Sequence, residues 1–555
     1  MCGIFCLLQS GADKSTIQPI IDVCQEAIQR RGPDSFKQLA ISEDCATCTF
    51  LASVRWTQGV TISPQPLEDV DGNVLLWNGD VYNFTSEDNK TIESTSESDS
   101  LQVLQRFASH GVLKTLKHIQ GPYSFIFLDK KNKQLWFGKD PIGRHSLLLK
   151  CTPTSILVTS VAHKSIPHIE EISNTHIYSV DITCPDFQLG LKEHKWKRNI
   201  SICPILKSYH PKEPSTDPTP PEEVVDFFAN VNITAGGDKA VLMKTLDTYP
   251  LFCDNVAELT KLLTQSVEKR VRTQPSHCVQ CVEPCGHCKT GVLFSGGIDS
   301  TVIALLANQF VPSSEPIDLL NVAFEKNQNY NVPDRLTGLS SLQELTTLCP
   351  DRQWNFVEIN ISRRELEDQR HCHIKDVIYP LDTVLDDSLG CAVWFAARGV
   401  GRLGSCGYTS SARVLLLGMG ADELLGGYTR HRTILRHCGN DWSALRAQLE
   451  HEVLNISRRN LGRDNRVVCD HGRQSRTPFL DEPVVAFLLS LPSWQRCWIT
   501  DDLPPSVGDK LLLRLLAWKL GLKVAASLPK RALQFGSRIA NSREKGNAVC
   551  VRLQS

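Results

Sequence analysis

The stretch Val292-Leu293-Phe294-Ser295-Gly296-Gly297-Ile298-Asp299-Ser300-Thr301 runs from one apolar segment through a glycine pair into another that ends near Leu306. A strand, a tight turn and a helix in that order leave backbone N–H groups at the helix start, where the helix dipole favours an anion. No lysine precedes Ser300, so this is not the Walker turn that holds a nucleotide for γ-phosphoryl transfer. Further apolar runs at Leu319 to Phe324, Phe356 to Ile359 and Val414 to Leu417 are separated by helix-length segments. Such runs are strands buried on both faces of a parallel sheet. A helical repeat at Val256, Leu259, Leu263 and Val267 leads into them, and residues 251–545 are expected to form a doubly wound α/β domain.

A second loop, Leu417-Gly418-Met419-Gly420-Ala421-Asp422-Glu423, also follows a strand; Asp422 either shares a hard cation with Asp299 or caps a helix. The S-G-G-x-D-S pattern resembles the pyrophosphate loop of ATP pyrophosphatases, which cleave ATP between its α and β phosphates to make acyl adenylates. With Asp464-Asn465-Arg466, Arg476-Thr477-Pro478-Phe479-Leu480-Asp481 and Pro529-Lys530-Arg531-Ala532, the region resembles the synthetase domain of the glutamine-hydrolysing asparagine synthetase family. The resemblance implies that Ser295, Gly296, Gly297, Asp299, Ser300 and Gly418 bind the phosphates of ATP and that Val322 lies beside the adenine. It further implies that Asp299 and Asp422 serve Mg2+ and that Lys530, with Arg531 as its rival, neutralises departing pyrophosphate. The chain departs from the family where Ser-Gly-Glu-Gly becomes Leu417-Gly418-Met419-Gly420. A lost general base costs roughly 10²- to 10⁴-fold in rate, so synthesis is expected to be the weaker half-reaction.

At the other end, Met1-Cys2-Gly3-Ile4 places a cysteine where removal of the initiator methionine makes it the first residue. Its thiol, with an ordinary pKa of about 8.5, then has its own α-amine, at about 7.7 to 8.0, as a base. Trp77-Asn78-Gly79-Asp80 reads either as a hairpin turn or as an oxyanion site built from the Asn side-chain amide and the Gly N–H. Arg55 and Asp99 have the charges to hold an amino acid's carboxylate and ammonium, or are surface charges. Cys2-Gly3-Ile4, Arg31-Gly32-Pro33-Asp34, Asn78-Gly79, Ser98-Asp99 and Asp140-Pro141-Ile142-Gly143-Arg144 occur in the order of the class II, N-terminal-nucleophile (Ntn) glutamine amidotransferases, a resemblance covering residues 2–185. It implies an αββα antiparallel sandwich that hydrolyses glutamine to glutamate and ammonia. Cys2 would be the nucleophile, Asn78 and Gly79 the oxyanion hole, and Arg55, Asp80 and Asp99 the glutamine pocket, with Asp80 standing where the family has Glu.

Between the two lie residues 186–250, rich in Pro, Thr and Glu from Lys212 to Glu223, and read as a linker. Cys278, Cys281, Cys285 and Cys288, flanked by His277 and His287, precede the first parallel strand. Four soft ligands suit zinc, but their pairs are closer than in common zinc knuckles, and a flexible cysteine-rich insertion is the other reading.

Of 555 residues, 60 are basic and 61 acidic, a formal charge of -1 that gives no global field for nucleic acid or an anionic membrane. The 21 cysteines are odd in number and spread along the chain, there is no apolar leader, and no run approaches the ~20 apolar residues of a membrane span. A cytoplasmic enzyme is expected, with glutamine, ATP and aspartate as substrates and asparagine, AMP and pyrophosphate as products. Adenylation of another acceptor, and a pseudoenzyme that survives as a binding partner, are the alternatives.

Overall fold

The computed structural model describes residues 2–10, 17–43, 46–85, 91–92, 98–196, 217–277, 281, 285–326, 329–504, 506–540 and 544–554. Strand Cys2–Ser10 shows why the N-terminal part layers as it does. Its even positions Ile4, Cys6 and Leu8 face a second sheet, while Phe5 and Leu7 pack against Ile21, Cys24 and Ile28 of helix Ile17–Arg31. The two-residue period of a strand separates the two faces. In the facing sheet, strand Val74–Gly79 sends Val74 and Leu76 inward. Its Leu75 and Trp77 turn outward to Val103, Leu104 and Phe107 of helix Asp99–His110.

Each sheet has six antiparallel strands. One runs Glu170–Glu171, Leu148–Cys151, Ser155–Thr159, Cys2–Ser10, Ala46–Val54, Ser35–Ser42; the other runs Lys192–Lys195, His176–Asp181, Gln134–Lys139, Tyr123–Asp129, Val74–Gly79, Leu67–Glu68. Helix, sheet, sheet and helix make the expected αββα sandwich.

The C-terminal sheet has seven strands in the order Cys406–Thr409, Val400–Leu403, Trp354–Ile361, Ile317–Phe324, Thr290–Leu293, Val414–Leu416, Gln474–Arg476. The last five are parallel, and the first two form an antiparallel edge hairpin. From Thr290–Leu293 the chain winds first to one side and later, with Val414–Leu416, to the other. The crevice between those two strands is thus the switch point, where doubly wound sheets bind ligands at their C-terminal strand ends.

The linker expectation needs correction. Lys192–Lys195 adds a strand to the second sheet opposite His176–Asp181. Helices Glu222–Thr234 and Lys239–Asp247 bury Val224, Phe228, Leu242 and Leu246 in the main core beside helix Pro250–Arg272. Val224, Phe228 and Val231 stand at helical spacing, an apolar stripe masked by the polar run before it. Residues 197–216, which carry the first part of that run, lie outside the described residues.

Candidate functional site

Cys2 lies 6% exposed at the start of its strand, and its backbone N–H donates to Asn78 Oδ1 at 3.0 Å. Burial pushes its thiol above the usual range, so a nearby base is needed to form the thiolate. Gln65 reaches the sulfur, with Nε2 3.6 Å from Sγ, and is fixed by bonds to the Trp77 carbonyl and N–H at 3.0 and 2.7 Å. No sequence signal marked it. Asn78 is fully buried, its amide donating to Ser124 Oγ at 3.3 Å and its carbonyl accepting from His145 Nδ1 at 2.8 Å. Gly79 is required by close approach, because a Cβ there would sit 2.5 Å from the Pro122 carbonyl.

The Asp34 of Arg31-Gly32-Pro33-Asp34 holds Arg55 at 3.1 Å and the Trp56 N–H at 2.8 Å. Asp99 accepts from the Val81 N–H at 3.1 Å and from its neighbour Ser100 at 2.7 Å. Burial, followed by the charge of Asp80, raises its pKa to about 6. Asp80 is fully buried. Its carboxylate pairs with Arg476 at 3.1 Å and accepts from Gln474 and from Tyr82 OH, all inside the protein. An Asp held by Arg476 and Gln474, both on the last parallel strand, is committed to joining the two halves of the molecule.

Other motif residues are committed in the same way. Arg144 bonds Glu482 at 2.8 Å, Arg466 bonds Glu171 at 2.7 Å, and Arg31 bonds Asn465 at 3.0 Å, each across the two halves.

At the switch point lies a cavity of about 630 Å³, lined by Ser295, Gly297, Asp299, Ser300, Val322, Gly418 and Lys530 among others. Its size suits a nucleotide together with a small acceptor. Gly296 stands behind this wall at φ +75°, where a Cβ would lie 2.4 Å from the Gly338 nitrogen, so helix Pro333–Leu348 rests directly on the loop. Asn321 ties the same loop to that helix through bonds to the Phe294 and Asp334 carbonyls at 2.8 and 3.0 Å.

Asp299 and Asp422 converge on the buried ammonium of Lys510, 2.6 Å from a carboxylate oxygen of each. Burial raises Asp299, and for Asp422 the burial effect is outweighed by Lys510 and Lys530, which hold it as a carboxylate. Lys530 lies 3.2 Å from Asp422, while Arg531 lines the same cavity nearer Thr337. Two hard oxygen donors meeting at one cation fit Mg2+. Lys510 follows an ordinary Gly508-Asp509 pair and carried no motif.

Leu417 is buried, and Met419 faces the cavity while packing on its apolar wall. Nearby, Tyr428 lines the cavity and donates through its hydroxyl to Glu423 at 2.5 Å; Asn460 also bonds Glu423, at 3.0 Å. Burial, then repulsion from Asp422, lifts Glu423 to about 7. Arg430 and Arg459 on the same rim share Glu452. Asp334, another cavity carboxyl missed in the sequence, is raised to about 7 by burial.

Comparison with known proteins gives two family matches, a glutamine amidotransferase domain over residues 1–179 and asparagine synthase over residues 258–461. An asparagine synthetase domain-containing protein of Drosophila melanogaster is 38% identical over 99% of both chains. Asparagine synthetase domain-containing protein 1 of Mus musculus is 37% identical over 100% of both, and that of Homo sapiens 36% identical over 100% of this chain and 98% of the relative. Among the described residues no helix is long and apolar enough to cross a membrane.

Proposed function

The chain belongs to the asparagine synthetase domain-containing protein family, and from that premise we propose that it is a cytoplasmic, glutamine-dependent amidotransferase whose second half adenylates a carboxylate and amidates it. The observation that carries this reading is the pairing of a buried Cys2 site with a nucleotide-sized cavity at the switch point, joined by the strand that bears Arg476.

In the first half-reaction, Cys2 Sγ attacks the glutamine amide after its α-amine takes the thiol proton. Asn78 and Gly79 receive the developing oxyanion, Arg55 the α-carboxylate and Asp99 the α-ammonium. Ammonia leaves, and water hydrolyses the thioester to glutamate.

In the second, Ser295, Gly297 and Ser300, with the backbone N–H groups of the loop, hold ATP phosphates at the start of helix Ile298–Ala307. Asp299 and Asp422 would hold Mg2+, which supplies positive charge to the phosphate oxygens. Lys510 and Lys530 add fixed positive charge as pyrophosphate departs. Arg430 and Arg459 give the cavity rim the charge to accept an anionic acceptor such as aspartate.

Met419 cannot take a proton, but the Tyr428–Glu423 pair can: ammonia attacking the adenylate carbonyl gives a proton to Tyr428, which passes its own to Glu423. A base with a pKa near 7 matches that task at neutral pH. This pair favours a working synthetase over a pseudoenzyme. The test is AMP release with glutamine, ATP and Mg2+ over a panel of carboxylic acids. AMP above the acid-free rate with aspartate supports the asparagine-forming reading. AMP with another acid alone moves the acceptor, and none with any acid removes the synthetase.

A further inference from the structure

The cysteine-rich segment ahead of the first parallel strand is unused by the amidotransferase chemistry. Its base is firmly held. Lys289 Nζ donates to the Ser276 carbonyl at 2.7 Å and pairs with Glu315 at 2.5 Å; Gln274 bonds Thr290 at 2.8 Å, and Ser411 bonds the Cys288 carbonyl at 2.8 Å. Inside that closed base, Cys281, Cys285 and His287 bring their ligand atoms within 4.8 Å of one another, with Cys281 Sγ 3.7 Å from His287 Nδ1.

In tetrahedral zinc, with Zn–S about 2.3 Å and Zn–N about 2.0 Å, a sulfur and a nitrogen ligand lie about 3.5 Å apart. The four-cysteine site weighed from the sequence is not what the fold builds. Cys288 is 2% exposed, and its sulfur turns inward to the Thr290 carbonyl at 3.2 Å. His287 comes into the cluster instead. Cys278 lies outside the described residues.

We propose that Cys281, Cys285 and His287 bind one zinc ion as a structural clamp on the loop that joins the glutamine pocket wall to the nucleotide strand. Binding releases the two thiol protons, and the two thiolates and a neutral imidazole balance the ion's charge. The clamp has a reason to exist. From His277 to Cys288 the sequence has few large apolar side chains with which to offset the entropy of ordering, the situation in which small segments rely on cross-links.

It also sits at a seam. His277 packs edge-on against Trp56 with ring centroids 5.2 Å apart, next to the Arg55 that faces glutamine in the proposed function. The loop's other end runs into strand Thr290–Leu293, directly before the nucleotide loop.

The full-length chain, purified without chelator or polyhistidine tag, is expected to carry about one zinc per chain by elemental mass spectrometry. The same chain stripped and refilled with Co2+ should show thiolate-to-cobalt charge transfer and tetrahedral visible bands. Cys281→Ser with Cys285→Ser should lose the zinc and both signals, while Cys406→Ser, at an exposed cysteine elsewhere, keeps them. Should the double variant fold poorly, His287→Ala in an otherwise unaltered chain is to release zinc at a chelator concentration at least tenfold lower. Zinc content indifferent to all these changes would overturn the site. So would a metal-free native chain, whether its Cys281 and Cys285 are free or joined as a disulfide in non-reducing peptide maps.

Discussion

In the proposed function Cys2 serves as nucleophile only if its nitrogen is a free amine, and the bond from that nitrogen to Asn78 would couple the proposed base to the proposed oxyanion site. The mature protein is therefore expected to begin at Cys2, with Cys2→Ala losing glutaminase activity by several orders of magnitude and keeping ammonia-dependent AMP formation. Intact mass and the two assays on one preparation test this, and an active glutaminase that retains Met1 contradicts it. Asp99 sets a pH limit. With its pKa raised to about 6, the carboxylate proposed to pair with the glutamine ammonium is lost as pH falls through that value. The KM for glutamine should rise below about pH 6 with kcat less affected, and Asp99→Asn should have a high KM that no longer follows pH there. In the other half, Glu423→Gln removes the proposed final proton acceptor and should lower AMP formation by roughly 10²- to 10⁴-fold with glutaminase turnover unchanged. Equal AMP formation by this variant would move the base elsewhere.

At the scale of elements, strand Gln474–Arg476 is one that the sequence concealed. Only three residues long, it completes the parallel sheet and carries both side chains that grip Asp80, 394 and 396 positions away in sequence. Arg476→Met leaves Asp80 buried without its cation, which typically costs about 3–5 kcal/mol. A thermal unfolding midpoint well below that of the unaltered chain is expected, partly restored in Asp80→Asn with Arg476→Met; an unshifted midpoint would deny the pair its role. The longer elements were legible. The strands expected at Leu319 to Phe324 and Phe356 to Ile359 fall within Ile317–Phe324 and Trp354–Ile361, because a strand covered on both faces has no choice but to be apolar throughout. Helices Glu222–Thr234 and Lys239–Asp247 are hidden in the composition because their apolar stripes follow directly on the polar residues before Asp217.

Across the whole molecule, motifs betrayed the family more readily than they betrayed their own physical work. Arg144 and Arg466 stand in recognisable strings, yet each bonds a carboxylate in the opposite half, and no local pattern announces a partner roughly 300 residues distant. Lys510 and Gln65 carry no string at all and enter the sites only through the fold. The Ser295 to Ser300 loop is the opposite case, since the phosphate binding proposed for it depends on backbone N–H groups and glycines that are contiguous in sequence. In the proposed function, what unites these parts is the transfer of nitrogen from one half to the other. Glutamine labelled with nitrogen-15 in its amide, supplied with ATP, Mg2+ and aspartate, tests that transfer directly. The account predicts label in the asparagine side-chain amide, with AMP and glutamate formed in step. Glutamate accompanied by free labelled ammonium, with no AMP and no labelled amide, would contradict it.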